Sequence, residues 1–373
     1  LPVESPRHVA PVCQGEPAMR TLPIVKSFAV STPPLLNRAL SRLEPVEHKL
    51  FQRDYEAEFG QVLSAINLTR GTALNPERVG RMIARFVAQL GGRDRVYELY
   101  FRGMPPNQHN PCVYSAVSVR QLQKLHAEAC ARMYRLAGRP DLVTESGPVL
   151  TNMVAEEDIF VGSLHAPIRA SIRSTVRAAI DTVRRLASEA HTSFVEQHNA
   201  YTAYLAFFLL ATTGLRAVSS FLPARFDVDG ATGLCFVSDK DNDAYEQARI
   251  VWLHPTLLRQ LDEYRAHVTR LRQYLALTSP QGISQLDGQR RTPPLSRHTS
   301  PNRTYDLELL GKDGVPTLFL LATEGGRLTP TFPAELQSLL GDTWQLRLGA
   351  LRHFVRTELL CLSMPGEVIN AAL

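Results

Sequence analysis

Lysine is nearly missing from this chain. Only Lys26, Lys49, Lys124, Lys240 and Lys312 occur among 41 lysines and arginines; the rest of that charge is arginine. The skew reflects either a coding bias or a use for arginine's planar fork, which suits bidentate contacts to phosphate. Paired cysteine is missing as well. Cys13, Cys112, Cys130, Cys235 and Cys361 are odd in number, scattered, and never spaced as Cys-x-x-Cys. That argues against a disulfide framework and a structural zinc site, and for a reducing, intracellular setting. No apolar stretch reaches membrane-spanning length; Tyr204 to Ala211 reads as part of a buried core helix. The first residues lack the basic-then-apolar pattern of a secretory signal. No membrane partner is expected.

What is present is ample core material. With 373 residues, 44% of them hydrophobic, the chain is long enough for at least two globular domains. Charged residues make up 21%, which points neither to wholesale disorder nor to a coiled coil. The formal charge of +5 is compatible with nucleic-acid binding without establishing it.

Residues 1–33 are proline-rich and without lasting periodicity, and read as a flexible arm with local contacts. Residues 34–190 read as a helical N-terminal region of one or two subdomains. Asn75-Pro76 supplies a cap and first helical position, and Met82, Ile83, Phe86, Val87 and Leu90 form the apolar face that follows. Ser118 opens a second helix with Leu122, Leu125, Ala129, Met133 and Leu136 on one side; Gly138 and Pro140 stop it. A third spans about Pro167 to Ala190, with Ile168, Ile172, Val176, Ile180 and Val183 as its inner stripe. Arg169, Arg173 and Arg177 run beside that stripe. They are either a solvated face or a line of contacts to a DNA backbone, where each phosphate bond adds salt-dependent affinity.

After Phe194 the pattern changes. A very apolar helix over Ala203 to Thr213 meets Gly214-Leu215-Arg216. Gly233 to Val237 and Arg249 to Leu253 read as paired strands of a small antiparallel sheet, with Lys240 near the turn. His254-Pro255 opens a helix to about Leu275, and residues 278–305 read as a surface insertion. Thr317 to Leu320 is a short apolar stretch, Gly325-Gly326 a turn, and the remainder helical. The fold class is therefore mainly α with a small antiparallel β-sheet.

Two segments carry the chemistry. Ala-Thr-Thr-Gly-Leu-Arg at 211–216 and Leu-Arg-His-Phe-Val-Arg at 351–356 each end in an arginine able to grip a phosphate. His353 and Arg356 lie at i and i+3, on one helical face. Cleaving a phosphodiester builds negative charge on the non-bridging oxygens. Arg216 and Arg356 could neutralise it from two sides, and Lys240 on its hairpin could protonate the leaving 5′-oxygen. No metal ligand cluster or cofactor motif is visible, and none is expected. Each piece has a plainer explanation: Arg216 as a helix C-cap, His353 as a buried core histidine, Lys240 as a solvated residue paired with Asp239 or Asp241.

In this order the pieces resemble the catalytic domain of the tyrosine recombinases, the phage-integrase family, over roughly residues 191–373. Thr213-Gly214-Leu215-Arg216 is similar to that family's first arginine box. The hairpin holding Lys240 is similar to its β-hairpin lysine. Leu318-Phe319 before Gly325-Gly326 is similar to the segment ahead of the second box, and His353-Phe354-Val355-Arg356 to its His-x-x-Arg. The resemblance implies a site-specific recombinase or integrase of a mobile element. It would join DNA through a 3′-phosphotyrosyl link without metal or ATP. It implies double-stranded DNA as partner, a homotetramer at synapsis, a helical N-terminal domain closing a clamp around DNA, and a cytoplasmic, nucleoid-associated prokaryotic protein.

Two departures bear on this. Ser219 stands where the family carries an acidic residue after its first arginine. The family's second His or Trp and its tyrosine nucleophile have no counterpart after His353; Tyr245, Tyr264, Tyr274 and Tyr305 all lie upstream. The apolar pattern at residues 366–373 reads as interrupted, so truncation before the nucleophile is the expectation. A non-catalytic DNA-binding relative is the alternative, and a type IB topoisomerase ranks third.

Overall fold

The computed structural model describes residues 2–4, 21–25, 27–30, 55–92, 94–102, 110–144, 159–189, 192–217, 228–237, 249–278, 319–323, 325 and 328–373. Within them the chain is mainly helical, with small antiparallel two-stranded sheets, the class the sequence predicts. Two compact units emerge. One takes the described residues within Leu1–Ala10, Leu22–Leu164 and Leu359–Val368; the other takes those within Pro11–Thr21, His165–Glu358 and Ile369–Leu373. No described helix is long and apolar enough to cross a membrane.

The first unit begins with strand β1 (Pro2–Glu4), paired antiparallel to β2 (Ser27–Ala29) with Val3 opposite Phe28. The stretch expected to be an arm thus contains a short ribbon. Phe28 anchors it, buried with its ring edge-on to Tyr100 and Phe101. Then come α1 (Tyr55–Arg70), α2 (Pro76–Leu90), α3 (Arg95–Phe101), α4 (Asn110–Tyr114), β3 (Ala116–Ser118), α5 (Val119–Leu136), α6 (Asp141–Thr144) and β4 (Phe160–Gly162), which pairs with β3. The caps fall where the sequence puts them. The Asn75 side chain accepts from the Arg78 N–H at 2.8 Å, and Ser118 Oγ from the Gln121 N–H at 3.4 Å.

Two details of the predicted apolar faces differ. On α2 the buried line runs through Ala84 and Val87, while Met82 is 40% exposed. Positions 82 and 84 lie on opposite sides of a helix, so burying Ala84 turns Met82 outward. On α5, Leu122, Leu125 and Ala129 are buried, but Leu136 in the last turn is 71% exposed.

The chain continues with α7 (Arg169–Ser188), α8 (Phe194–Thr213), β5 (Leu234–Val237), β6 (Arg249–Trp252), α9 (Pro255–Thr278), β7 (Leu320–Ala322), β8 (Leu328–Pro330), α10 (Pro333–Leu340), a 3-10 turn at Gly341–Thr343, α11 (Ala350–Cys361) and α12 (Gly366–Ala372). Helix α8 is the core of the second unit. Its middle has almost no solvent side: Leu205, Ala206, Phe207, Leu209 and Leu210 are all fully buried. Each large side chain of that set contributes roughly 1.5–3 kcal/mol. A reciprocal cap starts the helix, Ser193 Oγ accepting from the Val195 N–H and the Glu196 carboxylate from the Ser193 N–H.

Helix α7 lays Ile172, Val176, Ile180 and Val183 into this same core, as the stripe predicts. That packing places α7 in the second unit, within its segment His165–Glu358. The predicted antiparallel strand pair is present, with Leu234 opposite Trp252 and Val237 opposite Arg249. Cys235, Val237 and Val251 face the core, and Leu234, Ile250 and Trp252 face out.

One buried polar relay ties α8 to α9 and β7. His198 Nε2 lies 2.8 Å from the Leu320 carbonyl, and His198 Nδ1 3.1 Å from His267 Nε2. A carbonyl only accepts, so His198 donates from Nε2; its Nδ1 must then accept from His267 Nε2–H. Burial pushes both imidazoles down to a pKa of about 4.

Candidate functional site

The site is built around the end of α8. Gly214 terminates that helix in the left-handed region at φ 65°, with its N–H bonded to the Leu210 carbonyl at 2.9 Å. Position 214 needs glycine for space as well as for φ. A β-carbon there would lie 2.6 Å from Leu373 Cδ2 and 3.1 Å from Val355 Cβ. The turn leading to Arg216 is therefore pressed directly against α11. Arg352 of α11 reinforces the contact, its Nη1 donating to the Gly214 carbonyl at 3.3 Å. Leu215 is buried and Arg216 half-buried.

Helix α11 is fixed by its own apolar side. Ala350 and Leu351 are buried in the core that α8 organises, with Leu346 and Leu348 just ahead of the helix and Phe354 packed against it. The polar residues of the second box sit on the remaining face. His353 is 8% exposed and Arg356 7%. A guanidinium that deep needs acceptors, and Arg356 Nη1 finds one in Asn370 Oδ1 at 3.1 Å, on α12. The first and second arginine boxes, 138 residues apart at the Arg352–Gly214 bond, are neighbours in space.

Around His353 the structure adds residues that the sequence did not single out. The His165 ring meets the His353 ring edge-on, with centroids 5.3 Å apart and planes at 62°. One turn beyond His165, Arg169 Nε bonds Glu358 Oε2 at 2.6 Å. Arg169 thus spends its charge on α11, within the protein. Arg173 and Arg177 are exposed on α7. Asn370, Glu358, Arg352 and His165 carry no periodic or motif signal strong enough to mark them; only their fold neighbours do.

Lys240, the candidate general acid, lies outside the described residues, as do Ser219, Tyr245 and Tyr305. Residues 279–318, covering nearly all of the expected surface insertion, lie outside them too. Tyr264 is a core residue. It is fully buried, its hydroxyl is 2.7 Å from Thr202 Oγ1, and burial raises its phenol well above the usual range. Tyr274 packs against Phe194 at 5.1 Å.

Chemically, the arrangement gathers two nearly buried basic side chains, His353 and Arg356, beside a glycine turn that leads to Arg216. A cluster of basic side chains of this kind would suit an anion. No protein-family profile matches the chain, and no curated protein matches it. Among solved structures it is similar to XerA recombinase, at 16% identity and a TM-score of 0.31, over 78% of this chain and 88% of that one. It is also similar to the Tn1549 transposon integrase in complex with transposon right-end DNA, at 12% identity and a TM-score of 0.32, over 84% of this chain and 89% of that one. Overlaps this loose place no residue of one chain upon a residue of another.

Proposed function

We propose that the chain is the phosphate-activating part of a DNA strand-transferase, a site-specific recombinase or integrase of the tyrosine type. The observation that carries this is the packing of the Gly214 turn against Val355, which brings the backbone of the Arg216 box onto the helix bearing His353 and Arg356. Arg216 and Arg356 would share the charge that develops on the scissile phosphate. His353 would hydrogen-bond a non-bridging oxygen or assist proton transfer, and Lys240 would protonate the leaving 5′-oxygen. Preorganised donors of this kind supply the charge stabilisation that the chemistry needs. Double-stranded DNA is the proposed partner, with four copies at synapsis, and exposed Arg173 and Arg177 are proposed to follow its backbone.

Cleavage by this route requires a tyrosine, and residues 1–373 carry none after His353. The decisive test uses the native protein and a nicked DNA substrate that traps covalent adducts. Adduct should form, and Arg356→Ala should lower its rate by about 100-fold or more while most DNA affinity survives. Normal cleavage by that variant would remove Arg356 from the chemistry. Ser219, at the place of the expected acid, favours a second reading, a relative that holds DNA sites without cutting. Tight binding with no adduct in any form of the protein would select it.

A further inference from the structure

We infer that the first unit holds a separate binding site for a phosphomonoester, carried by Arg85 of α2 and Arg132 of α5. An open cleft of about 540 Å³ lies there, lined by Arg85, Ala88 and Gln89 of α2, Glu98 of α3 and Arg132 of α5. That volume falls within the range of small-molecule sites. The lining belongs wholly to the one unit and takes no part in the phosphate chemistry proposed above, so the two readings stand or fall separately. The cleft is shaped from the backbone upward. Arg85, Ala88 and Gln89 stand at i, i+3 and i+4, which puts them in one strip along α2. Ala84 and Val87, fully buried beside them, fix the rotation of that helix, and buried Ala129 and Cys130 do the same for α5. Ala88 has no side chain long enough to fill the cleft.

Charge decides what the cleft would take. Among the described residues of the lining, Glu98 is the one carboxylate, and it is already paired with Arg102 Nη1 at 3.5 Å. The side chains of that pair are largely buried, 23% and 13% exposed, so together they present little net charge. Arg85 and Arg132 have no such partner: among the described residues neither guanidinium makes a hydrogen bond or an ion pair. Arg132 is steadied instead by Phe86, its guanidinium carbon 5.5 Å from the ring centre, a contact that leaves its charge without a counterion. Two exposed cations of this kind, with the Gln89 amide in the same lining, match an anion of two charges and several acceptor oxygens. A phosphomonoester carries close to two negative charges near pH 7, whereas each phosphate within a DNA strand carries one.

The test titrates the full chain, with nitrogen-15 in its arginine side chains, against methyl phosphate, a monoester, and dimethyl phosphate, a diester of one charge. Spectra of Arg85→Gln and Arg132→Gln assign the two Nε resonances. Both should move along one saturating curve with the monoester, and the diester should bind about fivefold more weakly. Each glutamine variant should weaken the monoester about tenfold, the size of one hydrogen bond to a charged group. Both positions are exposed, so melting temperatures should stay within a few degrees of the parent. Arg120→Gln, about 18 Å along α5 from Arg132 and beyond the screening length, should bind within about twofold of the parent. Saturating duplex DNA should leave the monoester curve in place. Resonances that do not move, glutamine variants that bind as the parent does, or equal affinity for the diester would each overturn the inference. Displacement of the monoester by duplex DNA would overturn it too, by assigning the two arginines to a DNA-binding face.

Discussion

The second unit holds two histidine pairs, and they differ in everything except residue type. His198 and His267 lie between α8 and α9 among Phe194, Tyr201 and Tyr264, with an internal carbonyl taking the terminal proton. His165 and His353 lie against one another beside Arg352 and Arg356, with a carboxylate one turn away. The first pair sits in a core whose neighbours are rings, and its hydrogen bonds are made within the protein. The second sits among cations at the rim of a glycine turn. Burial alone does not separate the two pairs, because His267 and His353 are 3% and 8% exposed. What separates them is the company of charge: aromatic rings surround the first pair, and arginines lie beside the second on the same helix.

The largest expected effect breaks the comparison on stability. His198→Ala removes a partner from His267 and from the Leu320 carbonyl and opens a void under β7. It should cost about 3–5 kcal/mol in urea unfolding, whereas His353→Ala should cost only about 1 kcal/mol. Equal losses would erase the distinction between the pairs.

Acid comes next. His198 is held neutral with its pKa lowered to about 4 by burial, while in the unfolded chain it titrates near the ordinary value of 6.5. The unfolded state therefore binds the proton first. Stability is full above about pH 6.5 and declines as pH falls through 6.5 towards 4, by on the order of 2–3 kcal/mol for this group. His198→Gln should flatten the slope across that window, measured as urea midpoints at pH 7 and pH 4.5. A slope unchanged in the variant would mean that other groups set the acid response.

Arginines sharpen the same contrast at smaller size. Arg173→Ala should weaken binding to DNA of any sequence by several fold and lower the slope of log affinity against log salt by about 1. Arg169→Ala should change DNA binding less than twofold, because its guanidinium is already bonded to Glu358. If Arg169 proves the stronger of the two on DNA, the ion pair must open on binding.

The sequence was legible where local chemistry and burial agreed. Asn75, Ser118 and Gly214 marked helix ends through caps that the backbone demanded, and the strand pair at 234–237 and 249–252 declared itself by β-branched and aromatic residues on either side of a run of turn formers. The His353–Arg356 spacing placed both on one helix face. Legibility failed where a tertiary neighbour decided the outcome. Nothing local tells that Ala84 rather than Met82 faces inward, or that α7 joins the unit that follows it rather than the one before. The contact of His165 with His353 was illegible for a related reason: a single histidine in a connection shows no period.

Gly214 makes the distance between the two boxes an adjustable quantity. Because the smallest addition there meets Val355 and Leu373, a methyl group would act as a shim between the helix that ends at Thr213 and the helix that carries Arg356. Every donor would stay in the chain with its charge, while the spacing would change and the left-handed turn would be strained. The position thus offers a way to ask how much of the chemistry lies in the groups themselves and how much in tenths of an ångström between them.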